Sequence, residues 1–374
     1  FVLVVALFTV RGLQIAANAT PDLSNPTIIV SDYEQFMEAV QNAQDGDVIG
    51  ITSGIEIREE NVVIGSDDKH IYIVRSGEFA VIRVVRNGNL TIKNVTVDGG
   101  GKPGQGAMIY VEKGHLTLND VTLQKCDANY GAIWVNSDGI AEINSCAFDS
   151  NYASSGGHIY VSGNVQIANC SFTNGYVYDE GGAIYIASSG TATISSSVIC
   201  NNTSRNYGGG IYNNGTLTID STVIYDNTAS NGSDIANTKT SQFQIDSLDG
   251  VRALYEARNI VPKEWALDSN NPNSSFDTTS GTSLMKLVYE IKGEEPPSTE
   301  EPPSTEEPPS TEEPPSSEQP PSGDDKKDDT SSGGDNSGSG TGSSTANSST
   351  NNSKTDNSKQ TDSHNSTTNN YYTY

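Results

Sequence analysis

Gly156-Gly157-His158-Ile159-Tyr160-Val161 is followed 25 residues later by Gly181-Gly182-Ala183-Ile184-Tyr185-Ile186, and 27 residues after that by Gly208-Gly209-Gly210-Ile211-Tyr212-Asn213. Worked outward, the isoleucine of this unit returns as Ile109, Ile133, Ile159, Ile184, Ile211 and, in a degenerate copy, Ile235, in steps of 24, 26, 25, 27 and 24 residues. A second column runs Ile92, Leu118, Ile143, Ile167, Ile194, Ile219, and a third Val97, Leu123, Phe148, Phe172, Ile199, Ile224. Both step by 26, 25, 24, 27 and 25. Columns that lengthen and shorten together belong to one structural unit, so residues 89–237 are a tandem repeat whose length variation lies in loops.

Within each copy the apolar residues alternate with period two, as in Leu116-Thr117-Leu118 and Val165-Gln166-Ile167. That pattern predicts short, half-buried strands. No copy has room for a helix, and the fold expected is all-β: a right-handed parallel β-helix with about 25 residues per coil and stacked ladders of equivalent residues. Antiparallel hairpins would also use many short strands, but they do not require columns of like chemistry. Here the turn after the second strand carries Asn94, Asp120, Ser145, Asn169, Ser196 and Ser221, all small and polar. Such side chains satisfy turn backbone groups and bond to the copies above and below.

The 374 residues carry 21 basic and 47 acidic side chains, a formal charge of −26. A surface of that sign repels phosphate, so neither nucleic acid nor anionic lipid is an expected partner. Four cysteines, Cys126, Cys146, Cys170 and Cys200, all lie in the repeats and none has a metal-binding Cys-x-x-Cys spacing. Cys146 and Cys170 share an inward column, where they are expected to be reduced and to pack as small hydrophobes. No metal or other cofactor is expected.

Residues 1–19 read as a signal peptide: an apolar run through Val10, then Ala17-Asn18-Ala19 as a small-x-small cleavage site. The natural chain is expected to continue beyond both Phe1 and Tyr374, since no initiating Met or anchor signal is present. In 20–46, Ser31-Asp32-Tyr33-Glu34 is a capping box ahead of Phe36, Met37, Ala39 and Val40 at helical spacing. The helix is expected to close the open end of the coils. Residues 47–237 form the β-helix, with strand-like runs at 48–51, 55–57, 62–64, 71–74 and 81–85 making the looser first coils. A C-terminal cap comes next over 238–293, with a helix at 247–259 and a strand near 284–291. Glu-Glu-Pro-Pro-Ser-Thr repeats then make 294–322 an extended linker, and 323–374 is expected to be a disordered Ser/Thr/Asn-rich tail. The linker has no aliphatic or aromatic side chain, so the repeat body is expected to fold without the residues after Gly293.

Gly181-Gly182-Ala183-Ile184 and the Phe-x-x-Asn pair Phe148 and Asn151 resemble the two short motifs of the chlamydial polymorphic outer-membrane protein repeat. Altered copies surround them: His158 and Gly210 replace the alanine, Ile199 with Asn202 and Ile224 with Asn227 keep the asparagine, and after Phe172 the asparagine falls one place early, at Asn174. The resemblance covers residues 106–237 and implies a β-helix displayed at a bacterial cell surface or secreted, with an adhesin-like role. Those proteins end in a membrane β-barrel, whereas this chain continues into a Pro-rich stalk, a layout similar to stalked surface proteins of Gram-positive cells.

The β-helix also resembles pectate lyases and polygalacturonases, so catalysis on acidic glycans is weighed beside binding. A lyase needs a basic residue to take a proton, and a glycosidase two carboxyls at a set separation. In 106–237 the only Lys and Arg are Lys113, Lys125 and Arg205, and neither outward column of the second strand contains a stacked acid pair. Asp179-Glu180 reads as a solvated turn. A non-catalytic role is therefore expected, with no catalytic residues assigned. One outward column departs from small polar chemistry: Tyr110, Trp134, Tyr160, Tyr185 and Tyr212, directly after the repeated isoleucines. This ladder is the candidate platform for a glycan or a host or neighbouring-cell surface protein, and Tyr130, Tyr152, Tyr178 and Tyr207 are expected to widen it.

Overall fold

In the computed structural model, described for residues 21–58, 61–77, 81–238, 241–269 and 283–292, the chain winds as a right-handed parallel β-helix of about 25 residues per coil. The signal peptide, linker and tail inferred above lie outside the described residues. Each coil contributes to two long ladders and, in the middle of the molecule, to a third. Sheet A, nine strands, begins with Ile28–Val30 and ends with Val223–Tyr225. Sheet B has sixteen strands, and sheet C stacks Tyr152–Ala153, Tyr176–Val177 and Thr203–Ser204. The registers are those of the sequence columns: Val97, Leu123, Phe148, Phe172, Ile199 and Ile224 are successive partners in sheet A. They form one file of the core, with Phe148 and Phe172 stacked at 4.7 Å.

Two kinds of corner turn the strands. The small polar column takes left-handed backbone: Asn94, Asp120, Ser145, Asn169, Ser196 and Ser221 have φ between 48° and 57°. Short polar side chains tolerate that conformation best among non-glycine residues. A second left-handed corner follows the sheet A strands, at Lys125, Ser150, Asn174, Asn201 and Asp226, with φ between 50° and 58°. The corner within sheet B is made of glycine, at Gly88, Gly114, Gly139, Gly163, Gly190 and Gly215. A Cβ on Gly163 would lie 2.2 Å from the Asn136 carbonyl oxygen and 2.3 Å from that of Gly139, so only glycine lets the coils stack there. Long strands such as Ile109–Asn119 and Ile133–Asn144 run through this corner and carry both halves of sheet B.

The four cysteines are free and buried. Cys146 and Cys170 are axial neighbours, and the Cys146 N–H donates to the Cys170 sulfur at 3.4 Å. Further along, Ser197 and Thr222 take over the position: the Cys170 N–H donates to Ser197 Oγ and the Ser197 N–H to Thr222 Oγ1. Each side chain in turn donates to a carbonyl two residues back. The column is a hydrogen-bonded seam as well as an apolar one, and burial pushes the Cys146 thiol well above its ordinary pKa.

Both ends differ in detail from the sequence expectation. A strand the periodicity did not reveal, Ile28–Val30, opens sheet A before helix α1 (Tyr33–Asn42). The reciprocal cap of α1 is one residue later than expected: Asp32 accepts from the Gln35 N–H at 2.9 Å, and the Gln35 amide oxygen accepts from the Ser31 N–H. Asp and Gln serve these roles as well as the Ser31–Glu34 pair, and this register turns Phe36 into the core. At the other end the coils run past residue 237, because Gln242–Ile245 adds in parallel to the strand Thr216–Asp220. Helix α2 (Leu248–Glu256) comes next, and Ile260–Leu267 and Ser283–Ile291 then close the sheet as an antiparallel pair.

Candidate functional site

Alternation along sheet B buries Ile109, Val111, Ile133, Val135, Ile159, Val161, Ile184 and Ile186, and so sends Tyr110, Trp134, Tyr160, Tyr185 and Tyr212 outward. The structure brings all five together in register. Tyr110 stacks on Trp134 at 4.3 Å, Tyr160 on Tyr185 at 4.6 Å and Tyr185 on Tyr212 at 5.1 Å, while Trp134 meets Tyr160 edge-on at 6.3 Å. Arg83 lies over the outer face of Tyr110, with its guanidinium carbon 5.9 Å from the ring centre. At the far end Tyr212 pairs with Ala236, and the file of rings stops.

In the three stacked steps the ring faces are turned to one another, so the column presents half-buried edges outward there, and at the edge-on step between Trp134 and Tyr160 a further ring, Tyr130, packs against both. Tyr130 lies 4.4 Å from Trp134 and 5.1 Å from Tyr160, and Tyr207 leans on Tyr212 at 6.4 Å. Desolvation raises the phenol pKa of Tyr110 to about 12 and moves Tyr160, Tyr185 and Tyr212 in the same direction. All remain neutral donors and acceptors at physiological pH.

The expectation that Tyr152 and Tyr178 widen this ladder is not met. They belong to a second aromatic group on sheet C, because the turn after each Phe-x-x-Asn position starts a strand of its own that faces another way. Tyr152 and Tyr176 stack at 5.4 Å with an interplanar angle of 4°, and Tyr178 stands edge-on to both at 5.4 and 6.0 Å. Arg205 covers Tyr178, its guanidinium carbon 4.3 Å from the ring centre, and donates from Nε to the Tyr176 hydroxyl at 2.7 Å. Sequence reading missed the group, since Tyr152 and Tyr176 fill one repeat column only twice.

Two departures from the repeat motif prove to be one feature. Asn151, Asn202 and Asn227 are buried and form a ladder: each amide oxygen accepts a backbone N–H from the preceding coil, from Cys126, Gly175 and Asn202 respectively. Gly175 supplies no side chain between Asn151 and Asn202. His158 fills the gap, its Nδ1 2.8 Å from the Asn151 amide nitrogen and its Nε2 3.0 Å from the Asn202 amide oxygen. Since Asn151 donates there, Nδ1 is the acceptor and Nε2 carries the proton. Burial lowers the pKa of His158 to about 4, and it is a strut of the core, remote from any surface chemistry.

A shallow groove of about 300 Å³ lies at the glycine corner, lined by Asn61, Asn87, Asn89, Gly114, His115, Asp138 and Ile140. His115 Nε2 stands 3.6 Å from Glu142. Asp179 and Glu180 occupy the turn before Gly181, and desolvation raises the Glu180 pKa. No group of three or more His, Cys, Asp or Glu side chains able to hold a metal ion occurs among the described residues. A family described as right handed beta helix region matches residues 80–247 of the chain. No curated protein matches it.

Proposed function

We propose that this chain is a secreted or surface-displayed β-helix whose work is binding, in an adhesin-like role, with the aromatic ladder as its contact face. The observation that carries this reading is the unbroken file Tyr110, Trp134, Tyr160, Tyr185 and Tyr212 over five successive coils. Four strand spacings of about 4.8 Å make it roughly 19 Å long, which suits an extended ligand lying along the axis. With the faces engaged in the stacked pairs, affinity would come from ring edges and phenol hydroxyls, which donate to and accept from the hydroxyls of a glycan. The likeness of Gly181-Gly182-Ala183-Ile184 and Phe148-x-x-Asn151 to the chlamydial polymorphic repeat supports the same reading, since those proteins resemble adhesins.

The test uses the full chain on a glycan array together with Tyr160→Phe and Tyr185→Phe, which keep the stack and remove the hydroxyls. Binding that falls while the melt stays unchanged supports the reading. Binding by wild type and both variants alike would remove the ladder from the site.

A second reading, a polysaccharide lyase or hydrolase, is favoured by one observation: the groove at the glycine corner is lined by His115, Asp138 and three asparagines, and His115 has Glu142 beside it at 3.6 Å. Release of unsaturated or reducing sugar ends from acidic glycans, lost in His115→Ala, would establish it over the binding role.

A further inference from the structure

We infer that the sheet C face around Arg205 is a second binding site, built for the carboxylate of an acidic sugar. In a chain where acids outnumber bases more than two to one, Arg58 and Arg83 pair with Glu56, Arg83 also with Glu112, and Arg252 with Asp249, whereas Arg75 and Arg258 donate to backbone carbonyls. Arg205 has no carboxylate within ion-pair distance among the described residues. It is held by aromatic rings instead, over Tyr178 and 5.9 Å from Tyr176, with Nε tied to the Tyr176 hydroxyl.

That arrangement fixes a planar guanidinium at the surface and leaves its Nη1 and Nη2 edge without a hydrogen-bond partner among the described residues. Two parallel N–H donors in a plane are the complement of a carboxylate. Arg205's own backbone is anchored, its N–H donating to the Val177 carbonyl and its carbonyl accepting from Ser230 Oγ, so little order is lost on binding. Net repulsion from the acidic chain weakens the approach of any anion, so affinity for a carboxylate has to come from the fork itself.

The surroundings favour a sugar over an extended peptide. A peptide would add as a strand, but sheet C has no open edge: Asp127 bridges to Tyr152 before it and Thr203 to Thr228 after it. What the face presents is phenols. Tyr178 is 44% exposed, and with Tyr152 and Tyr176 it offers hydroxyls that both donate and accept, as ring hydroxyls of a sugar require. Burial and its neighbour Tyr178 raise the Tyr152 phenol to about 12, so the group stays neutral beside an anion.

The experiment titrates the full chain with hyaluronan hexasaccharide, whose charge is carboxylate alone, and with the same hexasaccharide methyl-esterified at its carboxyls. Arg205→Ala and Arg205→Lys are the variants. The expected result is binding to the acid, weakened about tenfold or more by esterification and by Arg205→Ala, and only partly kept by lysine, which lacks the fork. Equal affinity for acid and ester, no binding of the acid, or binding unchanged in Arg205→Ala would each overturn the inference. So would tighter capture of an acidic peptide than of the sugar, which would make this a protein interface. If Arg205→Ala fails to fold, the acid-against-ester comparison on wild type still decides. The ladder variants at Tyr160 and Tyr185 lie on another face, so their outcome is separate from this one.

Discussion

At the scale of single residues, two of the buried titrating groups, His158 and Asp234, have effects that oppose each other. His158 is held neutral between Asn151 and Asn202, with its pKa lowered to about 4 by desolvation. The unfolded chain takes up its proton near pH 6.5, so the stability His158 contributes is full above that pH and lost as pH falls toward 4. Asp234 is buried where Asn227 and Leu287 donate to its carboxylate, and desolvation raises its pKa to about 6. Its contribution is full below the ordinary carboxylate value and is lost as pH rises toward 6. Each effect is on the order of 3 kcal/mol, so between pH 4 and 6 the two slopes nearly cancel. Asp234→Asn should therefore lose stability more steeply than wild type as pH falls from 6 to 4, read as the difference between their melts. Parallel profiles in variant and wild type would mean that the opposing pair of buried groups does not act as described.

At the scale of elements, the hard problem for a parallel coil is its last strand, whose backbone has no next coil to bond. In sheet A that strand is Val223–Tyr225, and α2 solves the problem with one side chain. The Tyr255 hydroxyl accepts from the Ile224 N–H at 3.0 Å and donates to the Ile224 carbonyl at 3.2 Å. In sheet B the last parallel strand near the ladder, Ile235–Asn237, is covered by the antiparallel Ser283–Ile291. The outermost strand, Ile260–Leu267, then carries Pro262, Lys263 and a register shift, features that discourage further pairing. Tyr255→Phe keeps the ring packed against Val223 and Val251 but strands two buried backbone groups. It should cost roughly 1–3 kcal/mol in denaturant unfolding; a change within error would show that water replaces the phenol.

At the scale of the whole molecule, the β-helix is a hydrophobic cylinder whose side wall is continuous and whose ends must be closed. Phe36 of α1 is fully buried against the first coils and joins the same core cluster as Ile49, Ile55 and Ile82. Phe36→Asp should lift α1 from the end and expose that core. The expected outcome is concentration-dependent association, seen by light scattering, that wild type does not show. A variant that stays monomeric with an unchanged melt would mean that the first coil closes the end without α1.

The parallel coil was legible in the sequence because stacking in register puts each position of one copy on its counterpart in the next. The columns of Ile109, Ile143 and Phe148 are therefore both the pattern and the core. The same logic located the small polar turn column from Asn94 to Ser221, whose left-handed backbone the fold then revealed, and the five aromatics of the ladder. What depends on a partner outside the repeat could not be read that way. Gly175 and His158 look like two unrelated blemishes until the fold sets one against the other across a coil. Ile28–Val30 and Ile260–Leu267 occur once each and carry no period, and the strand expected near 284–291 carried no sign of its antiparallel partners Ile235–Asn237 and Ile260–Leu267. Whether Tyr152 and Tyr178 join the ladder or leave it is decided by the direction of the corner before each strand. That direction, like the Tyr–Arg205 group it creates, comes from backbone geometry between coils and exists only in the folded molecule.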